Sequence, residues 1–128
     1  MLDVLPEADF VALTCPLTPE TRNLVNADTI RLMKKGARLI NVSRGEVIDE
    51  GAVIEALRSG QLGGAYMDPF TVEPLPKDSP FWDLPNVIIT PHNAAVSNGN
   101  EKRVAEIFIA NFGRWVRGEP LANLQSVS

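Results

Sequence analysis

The sequence predicts an α/β domain built on a parallel sheet of about four strands with flanking helices. Three observations predict it. Short apolar runs alternate with stretches at helical spacing, the order strand–helix–strand–helix–strand–loop–strand–helix. Two of the runs, Ala37 to Val42 (ARLINV) and Asn86 to Thr90 (NVIIT), are almost continuously apolar, as in strands covered on both faces. Each run is followed by residues able to do chemistry, which is where parallel sheets bind ligands.

The first strand is read from Asp9 to Thr14 (DFVALT) and the third from Ala65 to Met67 (AYM). Between the first two, Asn26 can cap a helix reaching about Lys34, with Lys34 and Lys35 at its negative end and Gly36 as its stop. Asp49 can cap a second helix to about Ser59, with Val53, Ile54 and Leu57 on one face and Gly60 after it. After the fourth strand, Val104, Ile107, Phe108, Phe112, Trp115 and Val116 follow one helical face, and Gly118 ends the run. The segment Asp68 to Pro85 holds Pro69, Pro74, Pro76, Pro80 and Pro85, which forbid a regular helix. Phe70, Phe81 and Trp82 give it side chains to pack, so an ordered, functional loop is expected.

Composition narrows the classes. The 128 residues are 45% hydrophobic and 22% charged, the balance of a globular domain. Twelve basic residues face sixteen acidic ones and form no cluster, which argues against nucleic acid as a partner. A single cysteine, Cys15, permits no intrachain disulfide and suits the cytoplasm. No run is long enough for a membrane span, and no basic, apolar leader opens the chain. One His and one Cys make no metal site at usual spacing, and the G-x-S-x-G elbow of a serine hydrolase is absent.

The strand ends carry the chemistry. Cys15 and Pro16 follow the first strand, Ser43, Arg44 and Gly45 the second, Asp68 the third, and Pro91, His92 and Asn93 the fourth. Reduction of a 2-keto acid needs a cation for the substrate carboxylate, a proton donor for the carbonyl oxygen and a partner for that donor. Arg44 can grip a carboxylate through two parallel hydrogen bonds. His92, the only histidine, can give and take a proton near neutrality. Glu73 in the Pro-rich loop is the candidate partner, with Asp68 as the alternative.

The segments ADFVALTCPLTPETRNLV, LMKKGARLINVSRGEVIDEGAVIEALRSGQLGGAYMD, VEPLPKDSPFWDLPNVIITPHNAA and the terminal GEPL cover nearly the whole chain. Through them the chain resembles the D-isomer-specific 2-hydroxyacid dehydrogenases, the glyoxylate/hydroxypyruvate reductase branch in particular. The resemblance implies Arg44, Glu73 and His92 as the catalytic set, hydride exchange between NAD or NADP and a small 2-keto or 2-hydroxy acid, and a homo-oligomer. It implies cofactor contacts from Cys15 and Pro16 near the adenosine half. Nearer the nicotinamide it implies Val42, Ser43, Arg44, Asp68, His92, Ala94 and Ala95, with Asp68 holding the carboxamide. Related formate dehydrogenases carry glutamine where Glu73 stands, which disfavours that branch. Pro69 and Asn93 depart from the residues common in the family, and Pro69 is placed to shift the loop bearing Glu73.

The G-x-G-x-x-G that opens the family's nucleotide domain does not occur in this sequence. By resemblance, residues 1–96 are the C-terminal half of a Rossmann-type dinucleotide-binding domain with its catalytic rim. Residues 97–128 are a long helix and tail returning toward a substrate domain that this chain does not contain. Three expectations follow: the isolated chain is inactive, it is a truncated part of its parent, and it self-associates through the edge Asp9 to Thr14 or the helix face Val104 to Val116. The competing reading is a non-enzymatic folded remnant used for dimerisation or interaction; the superfamily also resembles corepressors that keep the fold.

Overall fold

The computed structural model describes residues 2–124. A short 3-10 helix, Leu2–Glu7, leads into β1 (Phe10–Leu13), then α1 (Ala27–Leu32), β2 (Ala37–Asn41), α2 (Glu50–Ser59), β3 (Leu62–Met67), β4 (Val87–Ile89) and α3 (Asn100–Val116). The strands form one sheet in the order β1-β2-β3-β4, and every neighbouring pair is parallel. All four carboxyl ends therefore meet on one rim.

The elements follow the signals in the sequence, with three corrections. Asn26 caps α1 as expected: its side chain accepts from the Asp28 and Thr29 amides, while the Thr29 hydroxyl takes the Asn26 N–H. The helix stops at Leu32, however, and Met33 is extended. The Gln61 amide donates to the carbonyls of Ile30 and Met33, so that helix end is capped from β3's side of the chain. Lys34 then lies beyond the helix and pairs with Asp9 at 2.9 Å. The second correction is β3, which begins at Leu62 and so contains Gly63 and Gly64. A side-chain carbon on Gly63 would fall 2.5 Å from the Gly36 carbonyl oxygen, so close backbone approach explains glycine there. For α2 the reading holds in detail, with Asp49 accepting from the Ala52 amide and Gly60 closing the helix at φ +74°.

The third correction concerns coverage. The core formed with α1 and α2 takes in Ile30, Leu39, Ile48, Val53, Leu57, Leu62, Met67 and Phe81. Burying such a side chain contributes roughly 1.5–3 kcal/mol. Along β2, however, buried and exposed positions alternate, and Ile88 of β4 is 63% exposed, as is Phe10 of β1 at 58%. Arg38 lies over the Phe10 ring, 5.6 Å from its centroid. β2 and β4 read as covered on both faces, yet within this chain they are not.

The Pro-rich stretch is ordered. Pro80–Asp83 forms a 3-10 turn, and buried Phe70 and Phe81 meet edge to face at 5.4 Å. Trp82 stays half exposed, its indole N–H donating to the Pro76 carbonyl.

The chain divides into two compact units, Met1–Ala94 and Ala95–Ser128. The second is built on α3, whose apolar positions run as read from the sequence. Phe108 stacks on Phe112 at 6.3 Å, and Phe112 lies 6.0 Å from Trp115. Gly118 follows the helix at φ +69°, and the Asn111 side chain holds Ala122 through two hydrogen bonds. Residues 125–128 of the expected returning tail lie outside the described residues. No helix among the described residues is long and apolar enough to cross a membrane.

Candidate active site

Two turns on the carboxyl rim carry the chemical residues. The first follows β2. Asn41, fully buried in a strand otherwise apolar at its buried positions, accepts from both the amide and the hydroxyl of Ser43 and donates to the Arg44 carbonyl. The turn is thus fixed from inside, and the Ser43 hydroxyl is occupied within it. Gly45 then sits hard against the Pro-rich loop: a side-chain carbon there would lie 2.1 Å from the carbonyl carbon of Phe70. No residue but glycine fits. Between these anchors the Arg44 side chain is exposed, and its guanidinium donates to the Ser43 carbonyl, at 2.7 Å. It pairs with no carboxylate among the described residues.

The second turn follows β4. The backbone ladder continues past the strand, with Thr90 N–H donating to the Met67 carbonyl and His92 N–H to that of Asp68. His92 adopts φ +51°, a conformation uncommon for a residue with a side chain. Asp68, 2% exposed, holds this turn: one carboxylate oxygen accepts from the Thr90 hydroxyl at 2.5 Å and the Asn93 amide at 2.9 Å, the other from the Ala94 amide at 3.0 Å. Burial pushes the Asp68 pKa up. The hydrogen bonds from Thr90, Ala94 and Asn93, with the charge on His92, outweigh that and leave it below the ordinary carboxylate value.

His92 meets Glu73. The imidazole Nδ1 lies 3.0 Å from a Glu73 carboxylate oxygen, with both side chains a little under half exposed. The second Glu73 oxygen accepts the Phe70 amide at 3.0 Å. These two bonds, the one from His92 foremost, hold the Glu73 carboxyl below its ordinary pKa, against a smaller opposing effect of burial. Of the two carboxylates open as partners for His92, Glu73 therefore contacts the ring and Asp68 binds the backbone beneath it. Pro69 is fully buried, and the loop after it still delivers Glu73 to the imidazole.

Beside the pair opens a cleft of about 540 Å³, lined by Asp68, Phe70, Glu73, Leu75, Trp82, Ile89, Thr90 and His92. It is mostly apolar with a few convergent polar groups, the usual character of a small-molecule site. Cys15 is half-buried and Pro16 exposed just past β1; Val42 is half-buried past β2; Ala94 and Ala95 are exposed after the His92 turn. Sequence reasoning missed Asn41 and Thr90. Each is a polar residue in or just after an otherwise apolar strand run, a signal available in ARLINV and NVIIT.

The chain was compared with known proteins. Residues 1–94 match the family model described as D-isomer specific 2-hydroxyacid dehydrogenase, NAD binding domain. A glyoxylate reductase of Korarchaeum cryptofilum is 42% identical over 121 residues, 94% of this chain and 36% of that protein. A D-isomer specific 2-hydroxyacid dehydrogenase of Xanthobacter autotrophicus, solved with NADPH and MES, superposes with a TM-score of 0.87 at 43% identity, over 98% of this chain and 52% of that one. An NADPH-dependent glyoxylate/hydroxypyruvate reductase of Sinorhizobium meliloti, solved with NADP and sulfate, gives a TM-score of 0.88 at 36% identity, over 98% of this chain and 41% of that one. The chain thus spans about a third of the length of the curated relative and roughly half or less of the solved ones. With the parallel sheet, the strand-end rim and these matches in agreement, the chain belongs to the D-isomer specific 2-hydroxyacid dehydrogenase family, within its NAD-binding domain.

Proposed function

We propose that the chain forms the catalytic part of an NAD(P)-dependent oxidoreductase interconverting small 2-keto and 2-hydroxy acids, such as glyoxylate or hydroxypyruvate. The observation that carries this is the 3.0 Å His92–Glu73 contact on the same strand-end rim as the carboxylate-free Arg44. Glu73 accepts a hydrogen bond from the Nδ1–H of His92, which leaves Nε2 to serve the substrate. Arg44 binds the substrate carboxylate and fixes the orientation of the keto group. His92 then delivers a proton from Nε2 to the carbonyl oxygen as that oxygen gains charge, and Glu73 stabilises the ring throughout. The reverse reaction returns the proton to Nε2.

The residues present fit a nicotinamide. One oxygen of Asp68 accepts two hydrogen bonds and the other only one, so a free acceptor position remains for a carboxamide N–H. Val42, Ser43, Ala94 and Ala95 would border the ring, and Cys15 and Pro16 the adenosine half. When bound, NAD(P)H supplies the hydride that the keto carbon receives.

The fingerprint that binds a pyrophosphate is not in this sequence, and we expect the 128-residue chain alone to turn over little substrate. The test is a chimera. This chain replaces the matching third of the Korarchaeum cryptofilum glyoxylate reductase, and NAD(P)H consumption with glyoxylate is followed. Activity is the expected result; a folded, inactive chimera rules the reading out. Strong turnover by the chain alone would remove the expectation of inactivity.

We place the segment that begins at residue 97 on the return toward a substrate domain, and the protein in the cytoplasm, where Cys15 stays reduced. The exposed apolar positions of α3, including Ile107, Phe108 and Trp115, favour a second role as an interaction module, with self-association there or at the edge of β1. A monomeric mass by light scattering at micromolar concentration would remove that role.

A further inference from the structure

Thr90 is where β4 hands over to the turn of His92. It stands one register step past the Met67–Ile89 pair, beside Asp68. Its hydroxyl touches two partners: Asp68 at 2.5 Å and the Tyr66 phenol at 3.0 Å. A hydroxyl has one proton to give. Ionised Asp68 can only accept, so the Thr90 proton goes to Asp68, and the Tyr66 phenol oxygen is the hydroxyl's other contact. The result is a chain of contacts, Tyr66 to Thr90 to Asp68, ending on the carboxylate that holds the Asn93 and Ala94 amides. His92 lies between Thr90 and those amides at positive φ, its own N–H donating to the Asp68 carbonyl. Without the side-chain anchors the turn keeps only that backbone bond, and the ring would lose its aim at Glu73.

We propose that Thr90 is a positioning residue for the His92–Glu73 pair, acting through Asp68 and supported by Tyr66. The bland alternative is that Thr90 only satisfies a buried carboxylate. Removing it would then lower stability and leave the imidazole as it was. The two differ in what His92 and Glu73 report. The proposal rests on the reading of His92 and Glu73 as a working pair, but its test needs neither substrate nor cofactor.

The chain has one histidine, so its ring nitrogens can be read without ambiguity in an isotope-labelled sample. In the unaltered chain the neutral ring should show the Nδ1–H tautomer fixed by Glu73. In Thr90→Val, which keeps the shape and removes the hydroxyl, the ring nitrogens should move toward the tautomer mixture of free histidine. The Glu73 carboxyl, faced by His92 and Asp68, should titrate higher, back toward its ordinary value, as the bond from His92 is lost. Thr90→Ser should restore both signals. A folded Thr90→Val chain with unchanged ring nitrogens and Glu73 titration overturns the proposal, and so does an unaltered chain with no fixed tautomer. If Thr90→Val fails to fold, Tyr66→Phe takes its place. A smaller shift in the same direction is then expected, and no shift at all overturns the proposal. Failure here leaves the glyoxylate assay of the chimera standing, and failure there leaves these spectra unchanged.

Discussion

The turn after β2 and the turn after β4 solve opposite problems. In the first, buried Asn41 and the tight seat of Gly45 immobilise the backbone, while the Arg44 side chain is left exposed with no acidic partner among the described residues. In the second, the backbone is held by Asp68 and the functional side chain is held too, by Glu73. The difference matches the two tasks. A group that binds an anion must arrive unpaired, or the substrate has to displace a partner. A group that moves a proton gains from a fixed tautomer and a fixed direction before the substrate arrives.

That contrast can be broken in four places. The largest effect is expected from His92→Ala in the glyoxylate reductase chimera, a loss of kcat of about 10²–10⁴ with substrate binding largely kept. Gly45→Ala attacks the rigid backbone instead, because the added methyl meets the Phe70 backbone and neither side can yield. A loss of about 3 kcal/mol, or a fall in Tm of roughly 10 °C by calorimetry, is expected. Arg44→Lys keeps the charge and loses the two-pronged grip, so KM for the keto acid should rise about tenfold with a smaller change in kcat. An equal fall in kcat at constant KM would mean that Arg44 does not bind the ground-state carboxylate.

The smallest effect concerns pH. The Glu73 carboxyl has its pKa lowered in the folded chain from an ordinary 4.5. Its contribution to stability is therefore fully present above that ordinary value and lost as pH falls through the lower folded value. Glu73→Gln cannot titrate. Its urea midpoint should fall less steeply than that of the unaltered chain as pH drops below about 4.5. Identical slopes would show that the pair adds nothing to the folded state. Asp68 has the same sign and contributes in the same acid window.

Much of this contrast was legible before the fold was known. Strand ends in a parallel sheet share a rim, so Arg44, Asp68 and His92 could be grouped from order alone. Caps declare themselves through residue type, which is why Asn26, Asp49 and Gly60 fell where expected. The choice between Glu73 and Asp68 was open, because a loop's path through five prolines is set by the seating of Phe70 and Phe81 and by no local rule. The end of α1 was misplaced for a related reason. Its last carbonyls are satisfied by Gln61, far along the chain, and a pairing of that kind leaves no local mark. The apolar character of β2 and β4 pointed to two covered faces. A strand's composition records every surface it was selected to meet, including surfaces outside this chain.

The opposite rim has its own logic. There the Gly36 amide donates to the Gln61 carbonyl, Gln61 reaches back to Ile30 and Met33, and Asn86 donates to Leu57. All of these contacts lie at the amino ends of β2, β3 and β4, a full strand length from Arg44 and His92. Reactivity is thereby confined to one pole, whereas stability is drawn from both. Thermal tolerance can be raised or lowered by redesign at the amino-end pole with the reaction untouched.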